Sequence, residues 1–393
     1  MALIILLDKI VNALEKGECV VGVFLDFSKA FDTVNHKILL QKLDFYGIRG
    51  VANEWISSYL SSRTQYVSYV NNTSSHGTIS CGVPQGSILG PLLFLIYIND
   101  LAYVSNELYL ILFADDTNVF ISGNNLKSIV SKMNNELQIV VEWLQSNRLS
   151  LNINKTKCMV FMPKRQKRLD NISIKISGST IEEVSNTKFL GVIIDNKLSF
   201  KDHLSYISKK VSKCIGILYR ARPLMNRKSL ITLYNSFLYP YLIYCIHVWG
   251  GTHKSYLNPL MLLQKKAVRC ICFLRKHDSV SEVFVNMSIL NLQNIYNLEL
   301  NSFMFKFTNE SLPKIFLNYF VRHNEIHSYN TRHASDFIIP LCKGVLGQNS
   351  FYYNAVKSWN NIGKHIYLNN TNKSYAWFKK QLKMHLLHQQ HLV

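Results

Sequence analysis

The sequence is short of acidic residues, of paired cysteines and of long apolar runs, and each shortage excludes a class of protein. Only 24 Asp and Glu residues stand against 44 Lys and Arg residues, for a net charge of +20. The eight cysteines include no Cys-x-x-Cys pair, which excludes the usual zinc-site spacing and favours free thiols in a reducing compartment. The apolar run Ile88–Ile98 contains Pro91 and is too short to span a bilayer, and the N-terminus lacks a signal-peptide pattern. We therefore expect a soluble intracellular protein with no membrane partner.

The positive charge is concentrated in the second part of the chain. Residues 1–160 carry 12 Lys and Arg against 13 Asp and Glu, a net charge of −1, whereas residues 161–393 carry 32 against 11, a net charge of +21. The 393 residues, 48% of them hydrophobic, suffice for two or three folded domains. A basic part of this size predicts a polyanionic partner, most commonly nucleic acid, and a merely solvated basic surface is the alternative.

The periodicity of apolar residues also changes along the chain, near Phe200. Before it, short strands predominate: Cys19–Leu25 is an apolar, β-branched run, and Leu108–Phe113 with Thr117–Ile121 has hairpin spacing. We also predict strands over Thr64–Val70 and Phe189–Ile194. After Phe200, helical spacing predicts long helices, namely Leu204–Arg220, Leu230–Val248, Tyr256–Leu274 and Leu290–Phe307. Residues 323–348 are predicted to be mostly loop.

Three acids occupy positions where a carboxylate is costly. Asp26 directly follows the buried strand, and Asp115 and Asp116 lie between two apolar runs at the predicted hairpin tip. A carboxylate at the end of a buried strand needs a cation or a metal as partner. If strand end and hairpin tip face each other, the acids can converge on Mg²⁺, which prefers oxygen ligands. Each acid alone is more simply a cap, turn or salt-bridge residue.

Five segments of the sequence, taken in order, favour a functional interpretation of these acids. They are Phe24–Val34 (FLDFSKAFDTV), Gly82–Phe94 (GVPQGSILGPLLF), Phe113–Asp116 (FADD), Leu151–Lys157 (LNINKTK) and Phe189–Val192 (FLGV). They resemble motifs A to E of the reverse transcriptases of non-LTR (LINE-type, jockey-like) retrotransposons. The resemblance covers about residues 20–200 and extends more loosely to 235–271, 359–360 and 378–380. Group II intron and retron-type reverse transcriptases fit these segments less well.

The resemblance implies an α+β fold and a division into three parts. Residues 1–200 would form a right-hand polymerase palm, an antiparallel sheet with helices on one face. Residues 201–320 would form an all-α thumb, and residues 321–393 a C-terminal helical and loop region. The fingers that precede the palm in this family would be largely absent, as would the family's endonuclease. We therefore expect a truncated chain that polymerises weakly or not at all on its own.

The resemblance also assigns the catalytic residues. Asp26, Asp115 and the backbone of Phe27 would hold two Mg²⁺ ions, which Mn²⁺ could replace, and Asp116 would support the site. Lys155 would lie near the departing pyrophosphate as a proton donor, with Lys157 as its rival. A solvated surface lysine is the simpler interpretation of either.

The remaining implied contacts concern the substrates: an RNA template, a DNA primer and dNTPs. Phe31, at the family's steric-gate position, would exclude a ribose 2′-hydroxyl, with a plain core phenylalanine as the alternative. Gln85 and Gly86 would line the nascent base pair. The primer grip would comprise Phe189, Leu190 and Gly191.

Basic residues after Phe200 would follow a template–primer duplex: Lys209, Lys210, Lys213, Arg220, Arg222, Arg227, Lys265, Lys266 and Arg269. The run Lys164–Arg168 is either a nuclear localisation signal or a basic loop near the hybrid. The family's life cycle implies both cytoplasm and nucleus, and the sequence leaves the oligomeric state open. Two functions remain: an RNA-directed DNA polymerase core, or a remnant that binds RNA or RNA–DNA hybrid without catalysis.

Overall fold

The computed structural model describes residues 1–164, 166, 172–326, 333–368 and 374–391. The chain folds into two compact units. We call Ala2 with Lys16–Leu190 the sheet unit, and Met1 with Leu3–Glu15 and Gly191–Val393 the helical unit. The first helix thus groups with the C-terminal residues, whereas the sequence placed it with residues 1–200. Most of the predicted basic run Lys164–Arg168 lies outside the described residues. Among the helices that the structure describes, none has the length and apolar character needed to cross a membrane.

Five α-helices of the described chain lie before residue 147. They are α1 (Ala2–Lys16), α2 (His36–Phe45), α3 (Val51–Leu60), α4 (Leu89–Ile98) and α5 (Leu126–Ser146). Local chemistry explains several of these ends. The Asn35 side chain accepts a hydrogen bond from the Ile38 N–H at the start of α2, and Asn125 caps α5 in the same way through Lys127. Pro91 is accommodated in the first turn of α4, where its missing N–H costs little.

The strands are short apart from those of the central sheet. They are β1 (Cys19–Leu25), β2 (Thr64–Gln65), β3 (Ser68–Tyr69), β4 (Asn72–Thr73), β5 (Gly77–Thr78), β6 (Tyr109–Phe113), β7 (Asp116–Gly123), β8 (Lys157–Phe161), β9 (Lys175–Ile176), β10 (Ser179–Thr180), β11 (Glu182–Glu183), β12 (Asn186–Phe189) and β13 (Val192–Asp195). Two of the strand predictions need correction. Thr64–Val70 contains two short strands with different partners, since β2 pairs with β5 and β3 pairs with β4, and Val70 with φ 53° ends the segment. Phe189–Ile194 is interrupted at Leu190 and Gly191, which both have positive φ.

The central sheet of the sheet unit has the order β11-β8-β1-β7-β6. Strand β1 pairs antiparallel with both β7 and β8, so it lies in the middle and all of its residues are buried. Alternate residues of β1, such as Val21 and Val23, belong to the same apolar core as α4 and α5. On the opposite face, Phe24 packs edge-to-face on Phe120 at 5.7 Å between ring centroids. The strand end that carries Asp26 is thereby fixed from both sides.

The helical unit contains long helices joined by shorter ones. After residue 200 the described helices are α6 (Lys201–Ala221), α7 (Arg227–Leu233), α8 (Tyr239–Ile243), α9 (Ile246–Trp249), α10 (Lys254–Ile271), α11 (Ser281–Asn286), α12 (Leu292–Thr308), α13 (His323–Ile326), α14 (Val345–Gln348), α15 (Phe351–Ser358), α16 (Lys364–Leu368) and α17 (Tyr375–His391). α10 packs on α6, and α12 packs on α15 and α17. The predicted helix Leu230–Val248 is wrong as one piece: a π-turn follows α7, and Cys245 with φ 51° separates α8 from α9. Residues 323–348, predicted to be loop, include two one-turn helices.

Candidate active site

The hairpin between β6 and β7 presents two of the predicted acids. Phe113 pairs with Asp116, so the tight turn consists of Ala114 and Asp115 alone. Ala114 has φ 53°, the left-handed region that two-residue hairpin turns favour at this position and that a side chain makes costly. The turn leaves Asp115 and Asp116 exposed, directly before the fully buried Thr117. The sequence therefore forms a strained tip that holds two carboxylates at the edge of a rigid core.

The third acid reaches the same place through the register of the sheet. Leu25, the last residue of β1, pairs with Thr117, so Asp26 and Asp116 are the next residues on the two strands. Partial burial raises the pKa of the Asp116 carboxyl, and the charges of Asp115 and Asp26 raise it further. The charges of Asp115 and Asp26 thus lie close enough to the Asp116 carboxyl to act on it. A divalent cation at this place would relieve the repulsion, and carboxylate oxygens are the ligands that such cations prefer.

The carboxylates alone do not complete a metal site. Among the residues that the structure describes, no three His, Cys, Asp or Glu side chains converge closely enough to hold an ion. The backbone of Phe27 is a further oxygen donor. The Asp26 carbonyl accepts from the Asn152 N–H (2.7 Å) and the Ser28 N–H donates to the Ser150 carbonyl (2.8 Å), both on the side of β8. Because successive carbonyls of an extended strand point to opposite edges, the Phe27 carbonyl is directed towards the β7 side, where Asp116 lies.

The segment between α5 and β8 holds Asp26 by its backbone. The Asp26 N–H donates to the Thr156 hydroxyl oxygen (3.3 Å), and that hydroxyl donates to the Asn152 carbonyl (3.0 Å). Thr156 is fully buried. The Asn152 N–H also donates to the Asp26 carbonyl, so both the N–H and the carbonyl of Asp26 are hydrogen-bonded to this segment. The sequence pattern pointed to the two lysines of this segment, and Thr156 between them carries no local signal of its contact with Asp26.

The two candidate lysines differ in their surroundings. Lys157 donates to the Asn154 carbonyl (3.2 Å) and forms an ion pair with Glu182, which lies beside it on the parallel strand β11. Lys155 is exposed on the turn that Asn152 organises, and its N–H donates to the Asn152 carbonyl (3.1 Å). A lysine engaged by a carboxylate is a poorer proton donor to a substrate than one on an open turn, so this geometry favours Lys155.

Phe31 lies on a short 3₁₀ turn (Ala30–Asp32) after the strand end that bears Asp26, half-buried and packed against the core. Its ring lies 4.5 Å from that of Phe94 on α4, tilted by 34°. Its carbonyl accepts from the Val83 N–H (2.8 Å). The Phe94 ring therefore limits movement of the Phe31 ring, and the hydrogen bond from Val83 holds the Phe31 backbone. A steric barrier needs a fixed position of this kind.

The loop Gly82–Gly86 is tied to the same turn. The Gln85 amide donates to the Asp32 carboxylate (2.9 Å), and both side chains are exposed. Gly82 has φ 90°, and a Cβ there would lie 2.8 Å from the Asp32 carbonyl oxygen, so its close approach is to protein backbone. Gly86 has φ 83° and open space around it, which leaves room for a ligand. Gln85 and Gly86 are thus the exposed part of a loop whose base is fixed.

The predicted primer grip occupies a sharp turn. Phe189 is buried and its ring lies 6.2 Å from that of Phe24, two residues before Asp26. Leu190 (φ 44°) and Gly191 (φ 80°) form the turn between β12 and β13. Phe189 therefore packs against the strand whose end bears Asp26.

Some predicted nucleic-acid contacts in the helical unit are engaged within the protein. The Arg269 side chain donates to the Asp278 carbonyl (2.9 Å), and Arg222 lies over the Phe273 ring (5.0 Å). On α6 the basic residues are more available. They surround Tyr206 along an open groove and are Lys209, Lys210 and Lys213, the first and last of which are exposed.

Comparison with known proteins agrees with these motifs. Residues 5–194 match the family described as reverse transcriptase (RNA-dependent DNA polymerase). The RNA-directed DNA polymerase from mobile element jockey of Drosophila melanogaster is 30% identical over 313 residues, which are 74% of this chain and 33% of that protein. The probable RNA-directed DNA polymerase from transposon BS of the same species is 30% identical over 281 residues, 67% of this chain and 30% of that protein. The chain thus spans about a third of the length of these relatives.

A third relative is the Retrovirus-related Pol polyprotein from type-1 retrotransposable element R1 of Bradysia coprophila, which is 28% identical over 62% of this chain and 24% of its own length. Among solved structures, apo telomerase from Candida tropicalis covers 74% of this chain and 49% of its own, with a TM-score of 0.37 and 13% identity.

Proposed function

Because this chain belongs to the reverse transcriptases of non-LTR retrotransposons, we propose that it is the polymerase core of an RNA-directed DNA polymerase. In this proposal the sheet unit is the palm and the helices after residue 200 provide the thumb. The substrates are dNTPs, an RNA template and the 3′-hydroxyl of a DNA primer, and the protein acts in cytoplasm and nucleus.

One observation carries the proposal. Asp26 on one strand and Asp115 with Asp116 on its neighbour interact electrostatically although about 90 residues of chain separate them, as the raised pKa of Asp116 indicates. A fold that brings three carboxylates together at an exposed strand end gains nothing in stability, because their charges repel. Clustered like charges at an accessible edge are therefore better explained by a cationic ligand than by structure.

The metal ligands in this proposal are Asp26, Asp115 and the Phe27 carbonyl, with Asp116 in support, and the metal is two Mg²⁺ ions. Bound Mg²⁺ supplies Lewis-acid activation of the primer hydroxyl and neutralises charge on the leaving pyrophosphate. The backbone contacts of Asp26 and the turn between β6 and β7 would hold these carboxylates in position.

The surrounding residues select and orient substrates. Phe31, fixed against Phe94, excludes a ribose 2′-hydroxyl and so favours dNTPs. Gln85 and Gly86 face the nascent base pair, and the Phe189–Gly191 turn positions the primer. Lys155 donates a proton to the departing pyrophosphate.

Primer extension tests the proposal. Purified protein with poly(rA)/oligo(dT), dTTP and Mg²⁺ should give at most weak extension. Asp115→Asn should reduce its rate by at least about 100-fold, because the variant loses a carboxylate that would hold the Mg²⁺ ions against the phosphates. The matched control is Glu54→Gln, which removes one exposed acid in the first turn of α3. It should extend primers at the wild-type rate.

The outcomes separate the two candidate functions. Extension that survives Asp115→Asn would contradict the assigned site. Absence of extension with salt-sensitive hybrid binding retained would favour a non-catalytic RNA or hybrid-binding role. Electron paramagnetic resonance of Mn²⁺ gives a readout that is independent of turnover, since Asp26→Asn and Asp115→Asn should each weaken Mn²⁺ binding.

A further inference from the structure

Thr156 is a buried hydroxyl where an apolar residue of the same shape would fit. It is fully buried, directly before β8, and lies between the lysines Lys155 and Lys157 in the sequence. Valine has the same shape as threonine and would avoid burying a polar group. A hydroxyl retained in such a place needs hydrogen-bond partners and a reason.

The partners of this hydroxyl identify what it holds. It accepts from the Asp26 N–H (3.3 Å) and donates to the Asn152 carbonyl (3.0 Å). Asn152 in turn donates its N–H to the Asp26 carbonyl (2.7 Å). Both backbone groups of Asp26 are therefore satisfied by one short turn, although that turn is 130 residues away in the sequence.

The same turn also carries Lys155. The Lys155 N–H donates to the Asn152 carbonyl (3.1 Å), the oxygen that also accepts from the Thr156 hydroxyl. A shift of this turn would consequently move Asp26 and Lys155 together. Reacting groups tolerate displacements of only about half an ångström.

We propose that Thr156 is a positioning residue, whose hydroxyl fixes the backbone of Asp26 and couples it to the turn bearing Lys155. This inference rests on the proposed polymerase function. Thr156 does not contact substrate or metal; it acts through the strand end that bears the carboxylate. Its loss leaves the Asp26 N–H without its buried partner, and the strand end becomes free to shift.

The chain provides a matched control in Thr117. It is also fully buried and directly follows Asp116. Its hydroxyl has no hydrogen-bond partner within the described part of the chain. Thr156→Val and Thr117→Val make the same chemical change in the same core. Only the first removes a bond to a catalytic residue.

The experiment compares these variants in steady-state extension on poly(rA)/oligo(dT), with thermal unfolding measured for each. Thr156→Val should lower kcat by about 10- to 100-fold with KM for dTTP and hybrid affinity within about twofold of wild type. Thr117→Val should keep the wild-type kcat. The pair Thr156→Ser and Thr156→Ala, which both lack the methyl group, isolates the hydroxyl: serine should restore most of kcat and alanine should not.

Mn²⁺ affinity measured by electron paramagnetic resonance keeps the inference separable from the polymerase activity. Thr156→Val should weaken Mn²⁺ binding by about tenfold, since a displaced Asp26 is a poorer ligand. If wild type binds Mn²⁺ but does not extend primers, the proposed function fails and the Mn²⁺ comparison still decides the role of Thr156. If Thr156→Val keeps both kcat and Mn²⁺ affinity, or if serine is as impaired as alanine, the positioning role is overturned. Should Thr156→Val fail to fold, the serine–alanine pair decides.

Discussion

Asp8 on α1 is a buried carboxyl whose ionisation should oppose folding of the helical unit. It is 6% exposed and accepts hydrogen bonds from the Tyr319 hydroxyl and the Tyr352 N–H. Burial raises its pKa to about 7, and these two bonds only partly offset that effect. The aromatic side chain of Tyr296 lies in the same electrostatic environment and adds no positive charge. Asp8 is therefore protonated in the folded protein well above the pH at which it ionises in the unfolded chain.

The sign and size of the effect follow from linkage. Between about pH 4 and pH 7 the folded state holds a proton that the unfolded state has lost, so the free energy of unfolding falls as the pH rises through this window. A shift of about three units corresponds to about 4 kcal/mol, an upper figure for the whole window. Asp8→Asn keeps the shape and removes the titration. It should match wild type near pH 4 and exceed its stability at pH 8.

Thermal and urea unfolding of both proteins at pH 4.5, 6 and 8 would measure this difference. A gain of a few kcal/mol raises Tm by roughly 10 °C in a unit of this size. Histidines titrate in the same range but contribute equally to both proteins, so the difference between them isolates Asp8. Glu282→Gln, at an exposed acid of the same unit, is the control for the loss of one acidic side chain. The reasoning would be refuted if the stability gained by Asp8→Asn over wild type were the same at all three pH values, or if it grew as the pH fell.

Three further substitutions test packing and substrate contacts. Gly22→Ala would place a Cβ 2.4 Å from the Phe120 ring in the central sheet and should cost about 1–3 kcal/mol in urea unfolding, whereas Gly216→Ala, with open space around it, should be neutral or stabilising. Phe31→Val should reduce the preference for dTTP over UTP by roughly 10- to 100-fold in primer extension, and an unchanged preference would count against the steric barrier. Replacing three lysines by glutamine should flatten the dependence of log Kd for hybrid on log salt by about 2, unlike the same change at three exposed lysines elsewhere in the helical unit. The test set is Lys209, Lys210 and Lys213, and the control set is Lys276, Lys314 and Lys343.

The elements that local sequence determines were predictable. β1 begins and ends at the predicted residues because an apolar, β-branched run fits a strand buried on both faces. α2 begins after Asn35 because that side chain caps the first turn. In both cases the residues that decide the element lie within it or beside it.

The failures occur where the backbone takes an unusual conformation. The predicted helix Leu230–Val248 contains Pro240, which begins α8, and Cys245 with φ 51°, which ends the helical path. Pro240 was a visible sign of a break. Cys245 gave none, since a non-glycine residue in the left-handed region depends on the packing around it. The same reasoning applies to Val70, which reverses the chain within a segment that alternates like a strand.

Within the candidate site, the order of the motifs points to the acids, whereas the contacts that support them are not visible in the sequence. Asp26, Asp115 and Asp116 stand out because carboxylates interrupt apolar runs. Thr156 does not stand out, because its partner Asp26 lies 130 residues earlier and the bond exists only once β1 and β8 pair. A single sequence contains the local signal for the acids but no signal for a hydrogen bond between distant strands.

The strand end at Asp26 and the hairpin tip at Asp115 and Asp116 differ in how well their backbone and polar groups are satisfied. Asp26 has both backbone groups bonded and a packed strand behind it. On the neighbouring hairpin, Ala114 adopts a strained φ, and Asp116 lies near the like charges of Asp115 and Asp26. The buried Thr117 hydroxyl has no hydrogen-bond partner among the described residues. Strain and unmet polar groups persist only where the surrounding structure imposes them. Since β7 pairs on both edges, the sheet can impose them here, and the hairpin tip can hold carboxylates in a position that a free chain would leave.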